Sequence, residues 1–143
     1  MICVDSSVVV KQIIDEDHSP QTQALFAMAT RQRVVMVAPQ LLMMEVGNVL
    51  LKKTRRPSVI TPREALASFR DALDLGILLE DPESLHDNAL RIAVSFQLPA
   101  IYDAYYLALA ADAKCDFWTA GPRLMRALAG RVPSVRWIGD FRA

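Results

Sequence analysis

Short apolar runs alternate along this chain with longer segments in which apolar residues recur every three or four positions. The short runs, rich in valine, isoleucine and leucine, predict strands at residues 1–4, 34–39, 77–81, 116–118 and 134–138. The longer segments have helical periodicity, and three of them carry proline at the first position. They predict helices at residues 6–15, 19–31, 40–53, 62–76, 84–96, 103–113 and 122–129.

Strands that alternate with helices are typical of an α/β fold with a mainly parallel sheet. The length of 143 residues is close to the commonest domain size, so we expect a single domain over residues 1–143. No apolar stretch approaches the ~18 residues of a membrane helix, and the N-terminus lacks the pattern of a signal peptide. We therefore expect a cytoplasmic protein without membrane contact.

Charge and cysteine content exclude several kinds of site. Sixteen basic and sixteen acidic residues cancel, so any contact with nucleic acid must come from a local patch. Cys3 and Cys115 have neither CxxC spacing nor a histidine at metal-finger spacing, so we expect reduced thiols. A glycine-rich phosphate loop is absent from the sequence, as is any supportable Ser–His–Asp or Cys–His pattern.

An acid, Asp5, stands where the first apolar run ends. Ligands of parallel α/β proteins bind beyond the carboxyl ends of the strands, which favours a functional role. The same position suits the N-cap of the following helix. Both interpretations of Asp5 remain open at this stage.

Two further acids lie in apolar helical segments. Glu45 falls on or beside the apolar stripe that includes Leu42, Val46 and Val49, where a carboxylate is expected to be paired or to hold a metal. A salt bridge to an arginine is the alternative. Asp103 begins another apolar helix, where a negative side chain is also favoured by the helix dipole alone.

Three acids in similarly apolar settings indicate a shared cation site. Clustered carboxylates repel one another unless protons or a metal compensate, and oxygen ligands favour Mg²⁺ or Mn²⁺. A divalent ion at such a site supports phosphodiester hydrolysis, because it makes hydroxide available and stabilises the charged transition state.

Four segments together resemble the PIN-domain family, in particular the VapC-type toxins of toxin–antitoxin pairs. They are VDSSVVVK, APQLLMMEVGNVLLK, IYDAYYLALA and FWTAGPRLMRAL, in the family's order and spacing. The resemblance implies a three-layer α/β/α sandwich with a short, mainly parallel sheet. It also implies a Mg²⁺-dependent endoribonuclease, with Mn²⁺ as a possible substitute, that acts on RNA as the toxin of the pair.

The same resemblance implies site residues and partners. Asp5 and Asp103 would bind the metal ion directly, and Glu45 would bind a second ion or orient the attacking water. Independently of the resemblance, Asn48, three residues after Glu45, and Thr119 are expected to support the site, and Thr119 could hydrogen-bond a water or the Asp5 carboxylate. The expected partners are RNA, a small cognate antitoxin protein and a second copy of the chain in a homodimer.

The sequence departs from the family pattern at one acid. The family usually has an aspartate where this chain has Gly121, within TAGPRL. Its loss removes one negative charge from the site and is expected to weaken binding of a second metal ion. Asp116 cannot obviously substitute, because it starts the strand at the opposite end. The alternative function is therefore a catalytically weak or inactive PIN-fold interaction module that binds an antitoxin or RNA without turnover.

Basic residues outside the acidic positions are candidates for RNA phosphate contacts. They are Lys52, Lys53, Arg55, Arg56 and Arg123. The cluster near Lys52 is equally explained as a solvated helix end, since cations favour helix C-termini. Four aromatic residues, Tyr102, Tyr105, Tyr106 and Trp118, are expected in the core or at dimer contacts, with base-stacking platforms for RNA as the alternative.

Overall fold

The computed structural model describes residues 1–55 and 59–142. Within these residues the strands are β1 (Ile2–Val4), β2 (Met36–Ala38), β3 (Leu78–Leu79), β4 (Asp116–Thr119) and β5 (Val135–Trp137). The helices are α1 (Ser6–Ile13), α2 (Ser19–Gln32), α3 (Leu41–Thr54), α4 (Pro62–Leu73), α5 (Leu85–Ser95), α6 (Tyr102–Asp112) and α7 (Pro122–Leu128). A short 3₁₀ turn, Ile138–Asp140, follows β5. Every predicted element is present, with ends that differ by a few residues.

The strands form one sheet in the order β3-β2-β1-β4-β5, and every neighbouring pair is parallel. Parallel crossovers are right-handed. The chain moves one way from β1 to β3 and the other way from β4 to β5. Helices α1–α4 therefore cover one face, and α5–α7 cover the other. This confirms the predicted α/β class and its three layers.

The direction of the chain reverses beside β1, which lies between β2 and β4. In register, Val4 of β1 is opposite Trp118 of β4. Asp5 and Thr119, the next residues along, therefore lie side by side at the carboxyl edge. Such a reversal point is where open α/β sheets bind ligands, so the topology alone marks this edge.

The core gives that edge a rigid base. The β1 residues and the following Val8, Val9 and Val10 are all buried. On the other face Tyr106 of α6 is fully buried and stacks on Phe117 of β4, with ring centroids 5.7 Å apart. Close-packed interiors hold side chains in fixed rotamers, so the groups mounted on β1 and α6 are well positioned.

Helices that span a membrane are long and predominantly apolar. Across residues 1–55 and 59–142, none of the helices is both long enough and apolar enough to cross a bilayer.

Candidate active site at the carboxyl edge of the sheet

Asp5 is both the N-cap of α1 and a buried carboxylate, with 5% of its surface exposed. Its Oδ1 accepts hydrogen bonds from the Val8 backbone N–H at 3.0 Å and from the Ser7 hydroxyl at 2.5 Å. Its Oδ2 accepts one from Thr119 Oγ1 at 2.5 Å. The N-cap interpretation is therefore correct, and it leaves one lone pair of Oδ2 free for another partner.

Burial raises the pKa of Asp5 above its usual range, despite these three hydrogen bonds, which lower it. The nearby charge of Asp103 raises it further. The site therefore keeps a carboxylate in a place where its ionised form is disfavoured. A cation at the free lone pair would relieve that cost.

Two hydroxyl groups connect Asp5 to the end of β4. Ser7 donates to Asp5 and accepts a hydrogen bond from the Ala120 backbone N–H at 2.8 Å. Thr119 donates to Asp5 and accepts one from the Gly121 backbone N–H at 2.9 Å. These paired bonds fix the Asp5 side chain between β1 and β4.

Glu45 lies on α3 and is half-buried beside the apolar stripe. Its Oε2 accepts a hydrogen bond from the Tyr106 hydroxyl at 2.5 Å. Burial raises the pKa of Glu45, and the charges of Asp5 and Asp103 raise it further; hydrogen bonding by Tyr106 and Ser6 acts in the opposite direction. Among the described residues no arginine forms an ion pair with Glu45, so the salt-bridge alternative is wrong there.

Asp103 is the second residue of α6, and Ile101 occupies the N-cap position without a side-chain hydrogen bond. Asp103 is therefore not the N-cap itself, but it lies in the first turn of α6, where the helix dipole favours a negative side chain. The side chain is half-buried, and burial raises its pKa. Since burial is the cause of the shift and no hydrogen bond offsets it, this carboxylate is available to an external ligand.

The three carboxylates are close enough for the charges of Asp5 and Asp103 to raise the pKa of Glu45. Over residues 1–55 and 59–142, however, no three His, Cys, Asp or Glu side chains converge as a ready-made metal site. The donor chemistry fits Mg²⁺ all the same, because this ion uses one or two carboxylates and keeps several waters. Asp5 and Asp103 are the residues that could hold it.

A groove of about 550 Å³ adjoins the acids. Its lining includes Ser6, Met44, Glu45, Asn48, Lys52 and Tyr102. Glu45, Asn48 and Lys52 are spaced i, i+3 and i+7 along α3 and so share one helix face. The structure thus places Asn48 and Lys52 beside Glu45.

The other basic candidates are distributed differently. Lys53 forms an ion pair with Glu16, which also pairs with Lys11. Arg55, directly after α3, and Arg123, in the first turn of α7, are exposed. Arg56 lies outside the described residues. Of these candidates, only Lys52 is seen to line the groove.

Gly121 is the N-cap of α7 and makes no side-chain hydrogen bond. Its φ of −86° is open to any residue, and a Cβ there would lie 3.2 Å from Thr119 Oγ1. An aspartate is therefore sterically possible after a small adjustment. Asp116 pairs with Arg136 at the other end of β4, so it does not replace the missing acid.

Sequence reasoning missed two contributors to the site, Ser7 and Tyr106. Ser7 follows Asp5 by two residues, a spacing at which a hydroxyl can bond a neighbouring side chain. Tyr106 lies three residues after Asp103 on the same helical face, and this spacing could have indicated that Tyr106 lies near the acids. Its assignment to the core is correct, but its hydroxyl also reaches Glu45.

The chain is similar to known proteins in sequence and in fold. The sequence model of the PIN domain matches residues 2–130. PAE2754 from Pyrobaculum aerophilum has a similar structure, with a TM-score of 0.68 and 22% identity over 96% of this chain and 90% of that one. VapC20 from Mycobacterium tuberculosis, described as a toxin that cleaves the sarcin–ricin loop, gives a TM-score of 0.61 and 17% identity over 85% and 88%. Among curated proteins no significant match is found.

Proposed function

The chain belongs to the PIN-domain family, and from that premise we propose that it is a divalent-metal-dependent endoribonuclease. One observation carries the proposal: Asp5 directly after β1, Glu45 on α3 and Asp103 on α6 all have pKa values raised by burial, and the charge of Asp103 raises those of Asp5 and Glu45 further. Structural scaffolding does not need such a costly arrangement, whereas a cation site does.

Asp5 and Asp103 would hold Mg²⁺ or Mn²⁺. The bound ion would supply an activated water and stabilise charge on the phosphate. Ser7 and Thr119 keep Asp5 in place for that role through their hydrogen bonds. Tyr106 orients Glu45, and the raised pKa of Glu45 suits it to accept a proton from the attacking water or to bind a second ion.

We further propose that the protein is the toxin of a toxin–antitoxin pair. The four PIN-like segments support this, as does the structural likeness to VapC20, which is itself described as a toxin that cleaves the sarcin–ricin loop. The proposal includes a small cognate antitoxin, a homodimer and cytoplasmic action. RNA would enter by the groove beside Glu45, where Lys52 can meet its phosphates.

The second candidate function is a PIN-fold module with weak or absent turnover. It is favoured by Gly121, which supplies no carboxylate, and by the lack of three converging ligands in the described residues. Such a module would still bind an antitoxin or RNA.

Cleavage of a labelled mixed RNA pool tests both candidates. Purified protein free of antitoxin is assayed with Mg²⁺, with Mn²⁺ and with EDTA, beside Asp5→Asn and Gly121→Asp. Asp116→Asn is the matched control, since it changes an aspartate at the opposite end of the sheet. Metal-dependent cutting that only Asp5→Asn removes supports the nuclease. Cutting gained only in Gly121→Asp supports a scaffold that lost its fourth acid.

A further inference from the structure

The groove beside Glu45 contains an exposed aromatic ring. Tyr102, the first residue of α6, is 58% exposed although it adjoins the half-buried Asp103. Met44, on α3, is 71% exposed and lines the same groove. Tyr102 therefore lies outside the core, which leaves a contact between copies of the chain or with a base, and its ring faces solvent with Met44 in the groove beside Glu45.

A single lysine occupies the same groove. Lys52 lies seven residues after Glu45 on the same face of α3, about 10 Å along the helix axis. In the part of the chain that the structure describes, no carboxylate pairs with Lys52, whereas Glu16 pairs with the adjacent Lys53. Lys52 can therefore bind an anion at a distance from the carboxylates.

We propose that this groove is a nucleotide subsite in which Tyr102 stacks on one unpaired base and Lys52 binds a phosphate of the same strand. The inference rests on the proposed ribonuclease function and adds two residues to it: one that contacts a base and one that contacts a phosphate of the bound RNA strand. The volume of the groove, about 550 Å³, is in the ~300–1,000 Å³ range of small-ligand sites.

Chemistry favours a single strand over a duplex. Aromatic side chains stack on splayed bases, whereas bases inside a duplex are already stacked on each other. Lys52 brings one positive charge to a groove whose lining also includes a carboxylate and apolar side chains, and one charge can bind one phosphate. A single charge does not suit the continuous phosphate rows of a helix, which require many cations.

Binding of a short fluorescein-labelled single-stranded RNA, measured by anisotropy in EDTA, tests the subsite without turnover. Tyr102→Ala is expected to weaken binding roughly 5- to 150-fold, which is the range for loss of one base–aromatic stack. Tyr102→Phe keeps the ring and should bind nearly as wild type. Val94→Ala, at an exposed apolar residue of α5, is the control and should have no effect.

A second single-stranded probe, made only of abasic ribose-phosphate units, separates the contribution of base stacking from that of phosphate binding. Tyr102→Ala should leave its binding unchanged. Lys52→Ala should weaken the binding of both probes. It should also reduce the slope of log K against log salt by about 0.7, the value for one phosphate of a single strand. Lys53→Ala should leave that slope unchanged, because Glu16 already pairs with Lys53.

The outcomes distinguish the subsite from the nuclease. If wild-type protein cleaves RNA but Tyr102→Ala binds and cleaves equally well, the subsite is refuted and the nuclease stands. If Tyr102→Ala weakens RNA binding as expected while no variant cleaves, the subsite stands and the nuclease falls. If Tyr102→Ala instead dissociates a dimer in sedimentation and leaves RNA binding intact, Tyr102 is a contact between copies and the proposal is overturned.

Discussion

Replacing Asp5 by alanine or by asparagine should separate the structural role of this residue from its charge. Asp5→Ala removes the N-cap bond to Val8 and the acceptor of two hydroxyl groups, Ser7 and Thr119. Loss of an N-cap costs about 1 kcal/mol, and leaving the fully buried Thr119 hydroxyl without an acceptor costs about 1–3 kcal/mol. Ser7 is half-buried, so water can replace its partner.

These losses for Asp5→Ala sum to roughly 2–4 kcal/mol in the free energy of unfolding, and removal of a buried charge whose pKa is raised offsets part of them. For a domain of this length the loss lowers Tm by at most roughly 6–13 °C. Asp5→Asn keeps an oxygen for the cap and removes a buried charge whose pKa is raised, and this gain offsets the disturbed bond to Thr119. We expect its stability to lie within about 1 kcal/mol of wild type in metal-free buffer.

Thermal unfolding followed by circular dichroism at pH 7 in EDTA measures both changes, with Asp116→Asn as a surface control. RNA cleavage should be lost in both Asp5 variants. If Asn is as destabilising as Ala, the negative charge itself holds the fold together, and the inference from the raised pKa is wrong. If neither substitution lowers Tm, the hydrogen bonds of Asp5 contribute nothing to stability.

Three further predictions concern the rest of the site. Because the folded pKa values of the three acids are raised, the folded state binds more protons than the unfolded chain; their contribution to metal-free stability should therefore rise as pH falls from neutral towards ~4. Asp103→Asn should flatten this rise in a Tm-against-pH series, and an unchanged slope would contradict it. Tyr106→Phe keeps the stacked ring but frees Glu45; cleavage should fall at least several-fold with Tm changed by only a few degrees, and a parallel loss of both would indicate a purely structural role. Gly121→Asp should raise Mg²⁺ affinity, measured by calorimetry, and should change stability by no more than about 1 kcal/mol, since a cap gained at α7 offsets the tight contact with Thr119; unchanged affinity would mean that the side chain does not reach the site.

Several features were predictable because they depend on local patterns. The five strands and seven helices followed from apolar runs, helical periodicity and proline positions. The α/β class and the parallel sheet followed from their alternation. Asp5, Glu45 and Asp103 stood out because each is an acid in an apolar setting, which is costly wherever the chain folds.

Other features depended on contacts between residues distant in sequence. The hydrogen bond between Thr119 and Asp5 spans 114 positions, and that between Tyr106 and Glu45 spans 61. The ion pair that removes Lys53 from the groove joins α3 to the α1–α2 loop. Periodicity assigns a side chain to a face of its own helix but not to a partner on another element.

Local patterns along the chain were enough to predict the elements, their alternation and three acids in apolar settings. The reversal of the chain beside β1 arises from the order of the strands, and it brings Asp5 to Thr119 and within electrostatic range of Asp103. Packing between distant elements also gives Tyr106 a place in both the core and the site, and it leaves Tyr102 exposed. Periodicity could not predict these features, because burial and pKa depend on which surfaces pack together, and the order of the strands fixes that packing.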